Sequence, residues 1–420
     1  MDLHISGESD LVDSPLRFRV SGTTADTVDL IVSTADAAGA PWRSSASYAV
    51  GPGGWLDIPD LDSPWATMQN KAVDRPAAIF ENCATEIEFA ITANTAHDSA
   101  TQTVPRRWGL DLRTERITGD GWVLQIYRPP NDQPCLPGIV VLPGTMVGRS
   151  IAATTALLAS HGYVTATLYY TQQPGLPDAF SRIATEDIAG GIEAFRQLPY
   201  VDGDAVAVHA GSVGVQTALA TLITTGTAVR AVVAVAPSHV VFQALRDDGP
   251  PQKMSALTHG GEDLPYVPVK SERLLPQVLR NELRRRISRT PTSTALATSS
   301  AYEAGLRDAS AVAEATLRVE DIDCPMLVIA GTADRCYPAA PMAAAIIDRR
   351  EAARNPFAAQ DELRIYDDVG HFIRPPAIPT TVDRSSGLIS GGSPAATAAA
   401  QRDAWTHILR FLRTQLRVSA

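Results

Sequence analysis

The segment from Val206 to Val215 constrains the fold of this chain more than any other part of the sequence. It begins as an apolar run typical of a buried strand, passes through Ala210-Gly-Ser-Val-Gly214, and continues as a helical pattern to about Ile223. Small residues two positions before and after Ser212 allow a sharp turn to close without a Cβ clash, although alanine replaces the usual first glycine. A strand, a sharp turn carrying serine and a helix are the parts of a nucleophile elbow. The alternative is a plain glycine- and serine-containing loop; we predict a nucleophilic Ser212.

An acid and a histidine follow at the ends of two later strands. The run from Cys324 to Gly331 is apolar enough for a buried strand, and Asp334 lies just beyond it. A second short strand begins at Leu363 and is followed by a turn and His371. A serine hydroxyl attacks only when a base takes its proton and an acid orients that base. Alone, the acid could cap a turn and the histidine could be a loop residue. Serine, acid and histidine follow one another in this order, each at a strand end, where open α/β sheets place their sites. This arrangement predicts a catalytic triad.

Other titratable residues compete less well for these roles. His209 lies inside the strand before the serine, which favours a core position, and His161 precedes a glycine at a helix end. His239 follows a strand and is a candidate to line the pocket. Asp367 and Asp368 are close to the predicted histidine in sequence, but the turn before that histidine is not the usual place for the acid.

Composition limits the classes of partner. The 420 residues are 45% hydrophobic and 20% charged, which fits a globular protein of two or three domains. A net charge of −10 argues against nucleic acid as the main partner. No apolar run reaches the length of a membrane span, and we expect no signal peptide because the start lacks basic and apolar parts. The cysteines lack metal or redox spacing and indicate reduced thiols in a cytoplasmic protein: Cys83, Cys135, Cys324 and Cys336.

The first part of the chain predicts an all-β, sandwich-like domain over residues 1–115. Short segments alternate apolar and polar residues and are separated by turn signals, as in Leu16–Val20, Val28–Val32 and Glu86–Ile91. The segment from Arg113 to Tyr127 predicts a hairpin that opens the second domain.

Residues 116–420 predict an α/β domain. From Gly138 onwards, buried strands alternate with amphipathic helices, which implies a parallel sheet. Residues 238–320 show no clear strand, and an insertion of this length predicts a lid over the site.

The chain resembles one known family over nearly its whole length, and three further segments carry that resemblance. They are Gly370-His-Phe-Ile-Arg-Pro-Pro376, the alanine-rich stretch from Gly391 to Trp405, and Glu262-Asp-Leu-Pro-Tyr-Val-Pro268. Together with the elbow, they resemble the acyl-CoA thioesterases and bile acid-CoA:amino acid N-acyltransferases. That resemblance implies the alpha/beta-hydrolase fold behind a β domain. It also implies a triad of Ser212, Asp334 and His371.

The resemblance also implies an oxyanion hole after the first parallel strand. The family loop is rich in glycine, whereas this chain has Met146 and Val147 between two glycines, which puts the pocket shape in doubt. Backbone amides can still serve, because the hole needs N–H groups rather than side chains. The expected donors are the N–H of Val213 and one from Thr145 or Met146.

The implied reaction is acyl transfer from a thioester through a covalent acyl-enzyme, with no metal or redox cofactor. The expected substrate is an acyl-CoA or acyl-pantetheine thioester, and an acyl carrier protein is a candidate partner. The arginines between Arg280 and Arg289 are candidates for binding its phosphates, with a solvated helix face as the favoured alternative. In the resembled family, thioesterases use serine and N-acyltransferases use cysteine, so Ser212 favours hydrolysis. Transfer to an amine, an alcohol or an internal nucleophile is the alternative, and a non-catalytic interaction protein is a more distant one.

Overall fold

The computed structural model describes residues 1–59, 63–70, 80, 86–130, 135–145, 149–245, 252–288, 294–381 and 387–416. In the first 107 residues, β1 pairs with β2, and the other strands form a sheet in the order β5-β4-β3-β7-β8, with β6 on β4. The elements are β1 Asp2–Gly7, β2 Leu16–Ser21, β3 Thr27–Ala35, β4 Pro41–Val50, β5 Leu56–Asp57, α1 Ser63–Ala66, β6 Gln69–Asn70, β7 Glu86–Asn94 and β8 Ser99–Arg107. Burial alternates along β2 and β3, as expected for strands with one face on a core.

An eight-stranded sheet organises the rest of the chain. Its order is β19-β18-β15-β14-β11-β12-β10-β9. The strands are β9 Arg113–Thr118, β10 Val123–Arg128, β11 Leu136–Leu142, β12 Val164–Tyr169, β14 Val201–Gly211, β15 Ala231–Val235, β18 Met326–Gly331 and β19 Glu362–Tyr366. The predicted hairpin of β9 and β10 pairs antiparallel beside β12, and the pairs from β12 to β19 are parallel. Because β9 begins at Arg113, the predicted boundary at residue 115 falls inside this sheet; the division into two domains stays a prediction.

Helices cover both faces of the sheet. They are α2 Arg149–Ser160, α3 Thr185–Arg196, α4 Val213–Thr225, α8 Ala339–Ala352 and α9 Pro394–Leu416. Apolar residues of α3, α4 and α8 form one buried cluster with the sheet, and those of α2 and α9 belong to another. A short strand, β13 Ile183–Ala184, directly precedes α3, which begins at Thr185. No helix among the described residues is long and apolar enough to cross a membrane.

The insertion between β15 and β18 contains small strands as well as helices. Its elements are β16 Leu257–His259, β17 Glu262–Asp263, α5 Leu275–Ile287, α6 Ser299–Gly305 and α7 Ala309–Ala315. The expectation of no clear strand over residues 238–320 was therefore wrong in detail. The sequence did not indicate β16 and β17 because strands of three and two residues are too short to show an alternating apolar and polar pattern. β16 pairs with β13, which anchors the insertion to the start of α3.

The strands at the start of the chain share an apolar cluster with one face of the eight-stranded sheet. Phe18 and Phe89 belong to the same buried cluster as Val141 of β11 and Trp405 of α9. A polar contact adds to this, since Asp13 accepts hydrogen bonds from Trp405 Nε1 at 2.7 Å and pairs with His161 Nε2 at 2.6 Å. The first 107 residues therefore cover apolar surface of the sheet that would otherwise face water.

Candidate active site

The elbow serine lies between β14 and α4 with a strained backbone. Ser212 has φ 56° and ψ −132°, a region that non-glycine residues rarely adopt. Its N–H donates to Val235 O at 2.9 Å, which ties the turn to the neighbouring strand β15. A Cβ on Gly214 would lie 2.6 Å from Pro143 O, so only glycine lets α4 start this close to the end of β11. The backbone therefore presents the Ser212 side chain at the carboxyl edge of the sheet.

Three side chains from distant parts of the chain form one row of hydrogen bonds. Ser212 Oγ lies 2.9 Å from His371 Nε2, and His371 Nδ1 lies 2.7 Å from Asp334 Oδ2. The second oxygen of Asp334 accepts backbone N–H groups of Cys336 at 2.7 Å and Tyr337 at 3.2 Å. The side chains of His371 and Asp334 are only 6% and 2% exposed. Burial strengthens such interactions because little water screens them.

Four glycines let the backbone segments around the acid and the histidine pack directly on one another. A Cβ on Gly331 would lie 2.1 Å from Val369 O, and one on Gly370 would lie 2.1 Å from Gly391 O. Gly391 and Gly392 have φ of 85° and 76°, where other side chains are strained. The glycines of the Gly370-His371 and Gly391-Gly392 motifs therefore have a packing reason: they bring the two loops into backbone contact.

Ser390 joins the loop of the acid to the loop of the histidine. Its carbonyl oxygen accepts from Arg335 N–H at 2.9 Å and from His371 N–H at 3.1 Å. Its hydroxyl accepts from Phe372 N–H at 3.0 Å. Sequence reasoning missed this residue, although its place directly before the Gly391-Gly392 pair is a signal that could have found it.

Tyr337 is a second residue that sequence reasoning missed. Its ring meets the ring of His371 edge-on, with centroids 5.0 Å apart, and its hydroxyl donates to Ala236 O. Burial and the nearby Asp334 carboxylate raise the pKa of Tyr337 well above its ordinary value, while a hydrogen bond with Ser212 opposes the shift. Tyr337 thus stays protonated and contacts both the serine and the histidine.

The insertion reaches the site through aromatic side chains. The ring of Tyr302 on α6 lies 5.6 Å from Tyr337 and 4.8 Å from Phe242. These contacts connect part of residues 238–320 to His371 through the ring of Tyr337. That the insertion acts as a lid stays a prediction.

The expected oxyanion donors are described only in part. Val213 is the first residue of α4, so its N–H lies at the positive end of that helix. A Cβ on Gly144 would lie 3.0 Å from Ser212 Cβ, which brings the loop after β11 up to the serine. Thr145 follows in this loop, where its carbonyl accepts from Gln172. Met146 lies outside the described residues.

The competing residues take no part in the row of hydrogen bonds that joins Ser212, His371 and Asp334. Asp367 accepts from Thr332 Oγ1 at 2.9 Å, and Asp368 lines an open cleft of about 450 Å³ that Asp334 and Arg335 also line. His209 is buried, and burial lowers its pKa to about 4. The pKa of His239 is lowered to about 4, mainly by burial and further by Arg349. His161 bonds to Asp13, as described above.

One group near the row could in principle hold a metal ion. Asp334, Cys336 and His371 each bring a ligand atom within 4.8 Å of the others. Burial, with the Asp334 charge adding to it, raises the pKa of the Cys336 thiol far above its usual range. The thiolate is the metal-binding form of cysteine, so a protonated thiol fits this role poorly. Cys135, Cys324 and Cys336 are free thiols, and Cys83 lies outside the described residues.

Fold and family together define an enzyme of the α/β-hydrolase class, a hydrolase or acyltransferase. The chain belongs to the BAAT / acyl-CoA thioester hydrolase family, since the model of that family's C-terminal region matches residues 188–418. This membership makes it an enzyme of ester or thioester chemistry. No curated protein sequence matches the chain significantly.

The chain also shows a distant likeness to solved structures, among them the following three. A dienelactone hydrolase-like promiscuous phosphotriesterase from metagenomic libraries is 14% identical, with a TM-score of 0.43 over 72% of this chain and 98% of that chain. An esterase from Pyrobaculum calidifontis is 16% identical, with a TM-score of 0.43 over 73% and 84%. A thermostable esterase from Pseudomonas putida is 17% identical, with a TM-score of 0.42 over 74% and 85%. Likeness at this level carries no conclusion about this chain.

Proposed function

We propose that this protein is a serine-dependent acyl-thioester hydrolase, with Ser212 as nucleophile, His371 as base and Asp334 as the acid that orients it. The observation that carries the proposal is the row of two hydrogen bonds, 2.9 Å and 2.7 Å long, that joins these three side chains. The family supplies the thioester chemistry.

In the first half of the reaction, Ser212 Oγ attacks the thioester carbonyl carbon while His371 Nε2 takes the hydroxyl proton. Asp334 accepts the Nδ1–H of His371, which keeps Nε2 free as the base. The tetrahedral intermediate then collapses, the carbon–sulfur bond breaks, and His371 returns its proton to the leaving sulfur. An acyl ester of Ser212 and a free thiol result.

In the second half, water attacks the ester carbonyl and gives its proton to His371. The carbon–oxygen bond to Ser212 breaks, the serine regains that proton, and the free acid leaves. Backbone N–H groups of Val213 and of Thr145 or Met146 stabilise both oxyanions, each worth about 3 kcal/mol. An amine, an alcohol or an internal nucleophile in place of water would make the same acyl-enzyme a transferase.

The substrate in this proposal is an acyl-CoA or acyl-pantetheine thioester, with an acyl carrier protein as candidate partner. The four arginines of α5 are exposed, as the favoured alternative of a solvated helix face expects. Free, buried Cys324 and Cys336 support a reducing compartment, so we place the reaction in the cytoplasm.

A fluorophosphonate probe and a panel of acyl-CoA and acyl-pantetheine thioesters test the proposal. The wild type should take up one adduct and release free thiol and free acid, and Ser212→Ala should do neither. Ser238→Ala is a matched control, because Ser238 also lies just beyond a strand of the same sheet, β15, but its hydroxyl donates to Val240 O. Labelling that survives in Ser212→Ala would refute the nucleophile, and an amide or ester as the main product would show a transferase.

A further inference from the structure

Helix α5 presents its apolar side chains to water and its amide side chains to the protein. Leu275, Leu279, Leu283 and Ile287 recur every four residues and therefore lie along one side of the helix, with Val278 next to them. These five side chains, here called the α5 stripe, are between 44% and 72% exposed. A surface helix of a globular protein ordinarily turns such a stripe towards the core.

The opposite side of α5 is attached by polar contacts. Gln277 Nε2 donates to Ala297 O at 2.8 Å, and Ala297 N–H donates back to Gln277 Oε1 at 3.1 Å. Asn281 Nδ2 donates to Thr294 O at 3.3 Å. These contacts hold the helix with the α5 stripe outward, so the exposure of the stripe follows from how the helix is attached.

The charge of α5 is opposite to that of the whole chain. Four arginines against one glutamate give the helix a net charge of +3, whereas the chain carries −10. Arg285 and Arg286 share Glu282, but Arg280 and Arg284 have no ion-pair partner within the described part of the chain. Whatever covers the α5 stripe must therefore tolerate the positive charge of the arginines or supply negative charge to them.

We infer that α5 docks the protein on an anionic lipid surface, with the α5 stripe in the acyl–headgroup boundary and the arginines on lipid phosphates. An apolar face flanked by arginines on a helix of low overall hydrophobicity is the pattern of interfacial helices. Arginine side chains reach phosphates while their stems stay on apolar surface. This inference uses residues outside the proposed catalytic row and does not depend on it.

Other occupants fit the same surface less well. A second copy of this helix would bring two clusters of positive charge together. A small phosphate-bearing molecule would use the arginines and leave the apolar side chains in water. A protein partner ordinarily covers about 800 Å² on each side, so it would need further apolar surface beside a stripe only about 18 Å long. A lipid surface needs only the stripe and the charges.

Flotation with lipid vesicles tests this inference. The probes are vesicles of phosphatidylcholine alone and vesicles of phosphatidylcholine and phosphatidylglycerol in equal parts. The wild type should float with the anionic vesicles and only weakly with the neutral ones. Leu279→Ser/Leu283→Ser should reduce the bound fraction about tenfold, because burial of these side chains drives insertion. Arg280→Gln/Arg284→Gln should reduce binding to anionic vesicles and weaken its dependence on salt.

Leu363→Ser/Ile365→Ser is the matched control, because these apolar side chains are also exposed, at 36% and 41%, but belong to β19. It should bind vesicles like the wild type. The α5 variants should keep the wild-type melting temperature, since the α5 stripe is not part of the core. The inference is overturned if the wild type binds neither vesicle, if both double serine variants bind equally, or if the stripe substitutions instead abolish self-association.

Discussion

Ser212 holds a backbone conformation that costs about 1–3 kcal/mol for a residue with a side chain. The surrounding structure compensates, because its N–H bonds to β15 and the next residue already begins α4. The benefit of the strain is position: a relaxed turn would not hold Oγ 2.9 Å from His371 Nε2. Small changes around this turn should therefore affect activity more than stability.

Gly144→Ala should lower kcat/KM of the proposed hydrolase by about tenfold to a hundredfold, since even small displacements at a reacting centre are costly. The added Cβ would lie 3.0 Å from Ser212 Cβ and 3.5 Å from its Oγ. Gly211→Ala is the matched control, because a Cβ there meets nothing within 4 Å. Steady-state kinetics of both variants decide the matter; equal loss in the two would contradict this account.

Asp334→Asn should reduce turnover by several orders of magnitude while the fold persists, because the amide would favour the wrong tautomer of His371. Asp367→Asn is the control, since Asp367 accepts from Thr332 instead. Turnover with circular dichroism as the folding check measures both. A nearly fully active Asp334→Asn would move the role of the acid to Asp367 or Asp368.

At the scale of elements, a buried arginine on α8 fixes the strand that leads to Asp334. Arg350 Nε donates to Asp361 Oδ2 at 2.7 Å, with the two side chains 0% and 1% exposed. The same guanidinium donates to Val319 O and Cys324 O. Asp361 also accepts from Met326 N–H at 2.8 Å, at the start of β18. One residue therefore aligns α8 with the beginnings of β18 and β19.

Arg350→Ala should lower the free energy of unfolding by about 3–5 kcal/mol, because it leaves a buried carboxylate and several carbonyls without a partner. Arg318→Ala is the comparison, since Arg318 pairs with Asp321 on the surface, where such pairs contribute about 0–1 kcal/mol. Urea denaturation gives both values. Similar losses for the two variants would rule out the special role of Arg350.

How much of the site could be predicted depends on whether its signal is local. Ser212, Asp334 and His371 each follow a strand with a recognisable pattern, so their placement at one sheet edge could be expected. Tyr337 could not, because its contact with His371 arises only when loops far apart in sequence pack together. Ser390 left one local signal, its place directly before Gly391 and Gly392, but its hydrogen bonds follow only from the packing of the loops. The orientation of α5 could not be predicted either. Its pattern is that of an ordinary amphipathic helix, and only its attachment shows which side faces water.

At the scale of the whole molecule, buried histidines link stability to pH. His209 lies in β14, where its Nδ1 is buried without a hydrogen-bond partner among the described residues. Burial lowers its pKa from 6.5 to about 4, so the folded state binds this proton only at lower pH than the unfolded state does. Its contribution is complete above pH 6.5 and is lost as the pH falls from 6.5 to about 4.

Between neutral pH and about pH 5, the wild type should lose about 2 kcal/mol more unfolding free energy than His209→Gln does. Glutamine does not titrate, so the difference between the two proteins isolates this histidine from other groups. Urea denaturation at the two pH values measures it. Parallel losses in the two proteins would show that His209 is not the source.

The apolar cluster shared by the first 107 residues and the eight-stranded sheet has a consequence for protein engineering. A fragment starting at Arg113 would keep every proposed catalytic residue and every strand of that sheet. It would lose the strands that cover one apolar face of the sheet. The apolar face exposed in this way would make the fragment aggregate. Chimaeras and truncated forms of this enzyme should therefore keep the amino-terminal strands together with the eight-stranded sheet.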